Sequence, residues 1–163
     1  MGPDRFNSIL KQFHQLCRKT IPPVYFLCAL VLMLILGYYL PVSHLVYIPL
    51  RIFGVLLAVS GLVISSWSVA LFKKAGTPLR PFDRPVAFVR DGPYQFSRNP
   101  VYLGMLLMLA GIWIALGTFT PLLVLLLFFY IIQEVFVKQE EVFLQEHLGE
   151  EYREYCQSVR RWL

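Results

Sequence analysis

Every Lys and Arg residue of this chain except Arg51 falls in one of three stretches, and long apolar runs separate those stretches. The basic groups are Arg5, Lys11, Arg18 and Lys19 near the start, Lys73, Lys74, Arg80, Arg84, Arg90 and Arg98 in the middle, and Lys138, Arg153, Arg160 and Arg161 near the end. Four apolar runs lie between them, at about 24–40, 48–72, 100–116 and 121–137. A bilayer core roughly 30 Å thick needs about 20 apolar helical residues and tolerates about 17, so each run reads as a membrane-spanning helix, three of them at the short end. The connections at 41–47 and 117–120 carry no Lys or Arg. The positive-inside rule then predicts that both termini and the central loop are cytoplasmic, a parity that four spans satisfy and three or five do not. Composition agrees, since 57% hydrophobic residues, 15% charged residues and a mean hydropathy of +0.59 exclude an ordinary soluble domain.

The expected fold is an all-α, multi-pass integral membrane protein, one domain over 1–163 built from two helical hairpins, 24–72 and 100–137, with a cytoplasmic loop at 73–99 between them. Residues 1–20 place Phe6, Ile9, Leu10, Phe13, Leu16 and Cys17 on one helical face and Lys11, Arg18 and Lys19 off it, the pattern of an interfacial amphipathic helix. Residues 138–163 form a C-terminal cytoplasmic helical extension. The loop holds Pro78, Pro81, Pro85 and Pro93, which stiffen it, and enough aromatic residues to argue for order. Cys17, Cys28 and Cys156, like His14, His44 and His147, are scattered, with neither a disulfide framework nor metal-ligand spacing. The net charge of +5 is an excess that suits anionic lipid headgroups as partner, and nothing in its pattern points to nucleic acid.

Chemistry concentrates in Gly92–Tyr102, Gly-Pro-Tyr-Gln-Phe-Ser-Arg-Asn-Pro-Val-Tyr, which runs straight into the third apolar run. If the turn of the second hairpin centres near Phe119, Asn99 lies 20 residues before it and Gln139 lies 20 after. Antiparallel helices then place Asn99 level with Gln139 and Glu140. Pro100 suits a first helical turn, and the amides just after it are free for a ligand carboxylate or hydroxyl. The fourth run is expected to continue as one helix to about Leu148, with Gly149 as its C-cap and a second short helix over 150–162. Glu134 and Glu141 share a helical face, whereas Glu140 points about 100° away from Glu141. A carboxylate at Glu134, in the last turn of the span, is expensive unless it faces protein or water. Asn99 also reads as the N-cap of the third helix, and Arg98 as either a headgroup anchor or a ligand contact. Tyr94 follows Gly92-Pro93, where its ring could pack on a flat heterocycle. Tyr152 and Tyr155 read as interfacial aromatics, and Gly104 with Gly111 as a site of close helix packing.

Together with Glu140-Glu141-x-x-Leu144, Gly149-Glu-Glu-Tyr152-x-x-Tyr155 and Val159-x-Arg161, that segment resembles the isoprenylcysteine carboxyl methyltransferase and phospholipid methyltransferase superfamily of small membrane enzymes, over about 86–162. The resemblance implies an S-adenosylmethionine site contacted by Val86, Ala87, Phe88, Val89, Tyr94, Asn99, Pro100, Val101, Tyr102 and Glu140. It makes Glu140, Glu141 and Arg98 the catalytic candidates and Glu134 and Phe136 the substrate candidates. Asn99 stands where many members have His, which preserves hydrogen bonding but removes a titratable imidazole. Phe136 stands where prenylcysteine enzymes carry an arginine for the substrate carboxylate, which argues against that substrate. The implied reaction is in-line methyl transfer to a membrane-embedded amphiphile. A carboxylate acceptor needs no base, whereas an ammonium must first lose a proton, with Glu140, Glu141 or Glu134 as the nearest acceptor. The competing expectations are a membrane reductase related to sterol reductases and a non-enzymatic adaptor that keeps the scaffold.

Overall fold

The computed structural model describes residues 21–42, 47–77 and 87–163, so the amphipathic helix expected over 1–20 lies outside the described residues. The fold is all-helical, with no strand among the described residues. Its helices are α1 (Pro22–Tyr39), α2 (Ile48–Lys74), α3 (Pro100–Leu116), α4 (Thr120–Leu148) and α5 (Glu150–Ser158), with a 3₁₀ turn at Gly92–Gln95 before α3. Proline opens each of the four apolar helices at N1 or N2, where its fixed φ helps and its missing N–H costs nothing. Glycines in conformations closed to other residues end the last two, Gly117 at φ 69° after α3 and Gly149 at φ 58° after α4.

Three helices, α1 with 18 residues, α2 with 27 and α4 with 29, are long and apolar enough to cross a membrane. The fourth apolar helix, α3, is shorter at 17 residues. The first expected hairpin is not a packed unit. Instead α2 packs most extensively on α3 and α1 on α4, while the turn at 117–119 makes α3 and α4 a true hairpin. The cause is a glycine seam. Gly54 and Gly61 of α2 lie against Gly111 and Gly104 of α3, so closely that a Cβ at Gly61 would stand 2.5 Å from Gly104 O and one at Gly54 2.6 Å from Gly111 O. Small residues let two backbones approach in a membrane, where dispersion and weak polar contacts drive helix association. Ser65 continues the seam by donating from Oγ to Val101 O at 3.0 Å.

On the other side, Met33 and Ala29 of α1 meet Leu109 of α3 and Phe128 and Ile132 of α4 in the main core. At the end of the bundle away from the Lys/Arg-rich segments, Thr120 Oγ1 donates to Leu40 O, and Phe119 N–H donates to Val42 O at 3.1 Å. The outer face of α2 leaves Ile52, Val55, Leu56, Val59, Leu62 and Val63 exposed, as a lipid-facing surface requires.

As expected, the fourth apolar run continues as one helix to Leu148. Within it, Ile132–Val137 form a π-helical turn that the sequence pattern does not announce. Past Gly149 the chain reverses, and Tyr152, Tyr155 and Val159 pack on Phe88, Leu144 and Leu148. The last helix ends at Ser158, short of the expected 162, because Val159 turns extended and the chain runs back beneath the start of α3. There Arg98 N–H donates to Arg160 O at 3.0 Å.

Candidate cofactor site

At the end of the bundle that carries the Lys/Arg-rich segments, the starts of α1 and α3, the end of α2, the middle of α4 and α5 enclose a cavity of about 410 Å³. Small-molecule and cofactor sites span roughly 300–1,000 Å³. Ala87, Phe88, Val89, Tyr94, Asn99, Pro100, Val101, Tyr102 and Glu140 all line it, as do Arg98 and Glu141. Val86 lies outside the described residues.

The two adjacent glutamates have been put to different uses. Glu141 accepts from Arg161 through Nε at 3.0 and 3.1 Å and through Nη2 at 2.6 Å, and Arg98 Nη1 lies 3.4 Å from its Oε1. With two guanidiniums on it, this carboxylate is a structural anion that ties the C-terminal residues to α4. Glu140 has no cationic partner among the described residues; its Oε2 accepts a hydrogen bond from the buried Tyr102 hydroxyl at 3.0 Å. A carboxyl set in a mostly apolar cavity, with one neutral donor on it, has room for a cation.

Asn99 is buried, and its side chain makes no cap to α3. Asn99 does hold the expected N-cap position, its carbonyl accepting from Leu103 N–H at 2.9 Å, but its Nδ2 donates to Arg161 O at 3.2 Å. The first-turn amides of α3 at Val101 and Tyr102 therefore take no cap from the Asn99 side chain. Arg98 is not a headgroup anchor, since its Nη1 reaches Cys156 Sγ at 2.6 Å in addition to Glu141. Its Nε is buried and has no partner among the described residues.

The aromatic lining is held by ring contacts and by a hydrogen bond. The Tyr94 ring lies tilted by 43° against Phe72 with centroids 5.3 Å apart, and the Tyr94 carbonyl accepts from Tyr155 Oη at 2.6 Å. Burial, followed by the nearby charge of Glu140, raises the Tyr94 phenol well above the usual range, and burial pushes Tyr155 up to about 12. Both therefore stay protonated donors across the physiological range. The hydrogen bond to Glu141 raises Arg161, fixing its positive charge. Phe88 sits between Tyr152 and Tyr155, with the Arg90 guanidinium 4.5 Å above its ring. Thus Tyr152 and Tyr155 are buried frame residues, not the interfacial aromatics expected.

Two expected substrate residues do not reach the cavity. Glu134 pairs with Lys138 at 2.6 Å one turn along α4, and Phe136 is 1% exposed between the rings of Tyr25 and Tyr102. Sequence reasoning missed Ser65, Phe72, Thr77 and Met105, which line the cavity, and Arg161, which braces it. The Val159-x-Arg161 pattern was the only available signal for the last of these.

The phospholipid methyltransferase family model matches residues 50–151, most of the chain. The chain belongs to that family. Family membership bears out the resemblance read from Gly92–Tyr102 and Glu140-Glu141, since the family groups with the isoprenylcysteine carboxyl methyltransferase-like membrane enzymes. The matched stretch begins well before 86 and takes in α2, so the glycine seam belongs to the family region as much as the cavity does. An uncharacterized protein of Haemophilus influenzae is 38% identical over 63 residues, covering 39% of this chain and 100% of that protein. No solved structure matches the chain.

Proposed function

We propose that this protein transfers a methyl group from S-adenosylmethionine to a membrane-embedded, lipid-like acceptor. The observation that carries the reading is Glu140, a carboxyl lining the cavity with no cationic partner among the described residues, set beside the first turn of α3. An amino acid zwitterion needs this set: a carboxylate for its ammonium, and N–H donors with helix-dipole support for its carboxylate. Tyr94, Phe88 and Val89 supply flat and apolar surface for a purine. Bound there, the cofactor supplies an electrophilic methyl group on a sulfonium.

The remaining work falls to the chain itself. Phe72, Met105 and the tyrosines exclude water, and Tyr102 orients Glu140 by holding one of its oxygens. Glu140 is also the carboxylate placed to take a proton from an ammonium acceptor, because Glu141 and Glu134 are already paired. A lipid path lies between α1 and α2. These helices line the cavity from two sides, through Pro22 and Pro23 and through Ser65 and Val69, yet each packs mainly on a different partner. We place the cavity on the cytoplasmic side, with both termini, because Lys73, Lys74, Arg90, Arg98, Lys138 and Arg161 gather at that end and the N-terminal run of basic residues precedes α1 in sequence, and we count α3 as the fourth span.

Calorimetry of purified protein with S-adenosylmethionine tests the cofactor, and vesicles of total phospholipid incubated with methyl-labelled cofactor test the acceptor. Binding, with label recovered in the organic phase, is expected. A folded protein that binds no cofactor, or label confined to water-soluble products, would refute the corresponding half of the reading.

A further inference from the structure

The family match stops at residue 151, yet Arg161, ten residues beyond it, touches both sides of the cavity's polar end. Its carbonyl accepts from Ser97 Oγ at 3.3 Å and from Asn99 Nδ2 at 3.2 Å, tying down the chain that enters α3. Ser97 Oγ in turn accepts from Asn99 N–H at 3.2 Å, so this corner is closed by three bonds. The Arg161 guanidinium then grips Glu141 on α4 with both Nε and Nη2. On either side of it, Arg160 O accepts from Arg98 N–H, and Trp162 Nε1 donates to Gln133 Oε1 at 3.0 Å in the π-turn of α4.

A two-pronged bond between guanidinium and carboxylate fixes angle as well as distance, which a single ammonium contact does not. With Glu141 fixed on its outer face, α4 cannot rotate about its axis without breaking that bond, and Glu140 is the next residue along. Without Arg161, Glu141 would keep only the longer Arg98 contact at 3.4 Å and could turn toward Glu140, where two carboxylates would compete for one cation.

We propose that Arg161 is a positioning residue for the cofactor site. Through its carbonyl and its guanidinium it sets the separation of the Asn99 and Glu140 sides of the cavity, and it withholds Glu141 from the bound cation. This inference rests on the methyltransferase reading above and adds to it a role for the C-terminal strap.

The test is a double-mutant cycle on full-length protein in detergent, with S-adenosylmethionine affinity read by calorimetry and folding by thermal melting. Arg161→Ala and Glu141→Gln are each expected to weaken affinity about tenfold, the double mutant little further, with a cooperative melt retained. Arg161→Lys keeps the charge without the fork and is expected to recover part of the loss, to about threefold below wild type. That variant also covers the case in which Arg161→Ala does not fold. Fully additive losses, or Arg161 variants that bind like wild type, would overturn the inference alone. A folded wild-type protein that binds no cofactor would overturn the methyltransferase reading and the inference with it.

Discussion

The seam between α2 and α3 and the polar end of the bundle solve the same problem by opposite means. Along the seam, Gly54, Gly61, Gly104 and Gly111 bring two backbones together with almost no side chain between them. At the polar end, the starts of α1 and α3 and the middle of α4 are kept apart by side chains. The gap is bridged by charged and hydrogen-bonded groups, Tyr102 to Glu140 and Arg161 to Glu141 and Asn99. One region is close-packed and apolar; the other is spaced and polar. Under the proposed function, stability and ligand binding would fall to separate sets of residues, and substitutions can tell them apart.

Glu140→Gln breaks the comparison most sharply. It removes the charge while keeping the shape, and is expected to cost about 2 to 3 kcal/mol of cofactor affinity, roughly a hundredfold, with the melting midpoint unchanged. Calorimetry beside a thermal melt checks both. Gly61→Ala should do the reverse. Its methyl would meet Gly104 O at 2.5 Å, and the forced separation of α2 and α3 is expected to lower stability by about 1 to 3 kcal/mol. Cofactor affinity of the folded fraction should hold, and a loss of affinity as large as that of Glu140→Gln would erase the proposed separation.

Tyr102→Phe sits between the two regions, in the first turn of a seam helix with its hydroxyl in the cavity. Removing one hydrogen bond to a charged group should weaken cofactor binding by about 1.5 kcal/mol, near tenfold, with little change in melting. Arg90→Ala at the exposed rim removes an ion pair with Glu151 and the cover over Phe88. Its effect on affinity should stay under about 1 kcal/mol and shrink further as salt is raised, which a titration at two ionic strengths would reveal.

Much of this was legible from residue order. Helix arithmetic from Phe119 put Asn99 level with Glu140, and the two do line one cavity. The contact itself is made by Tyr102, one turn farther in, because side chains on a helix lean toward its N-terminus and carry the Tyr102 hydroxyl back to the level of Glu140. Half of the seam was visible in Gly104 and Gly111. The other half was not, because glycines in a long apolar run show no partner until the register is known. The C-terminal strap was hidden for a different reason: its main acceptors are the carbonyls of Arg160 and Arg161, and every residue has a carbonyl. The π-turn at Ile132–Val137 inserts an offset into a run whose composition is uniformly apolar up to Gln133, so no periodicity could reveal it.

Thr77 adds a consequence for how such a protein can vary. Its hydroxyl accepts from Ala87 N–H and donates to Ala87 O, both at 3.0 Å, so the two positions are clipped together independently of the residues that join them. Phe88 and Val89 follow directly on the cavity side of the clip. Thr77 is thus little free to vary, since a residue without the hydroxyl would release both bonds and unfix the start of the cavity wall at Phe88 and Val89.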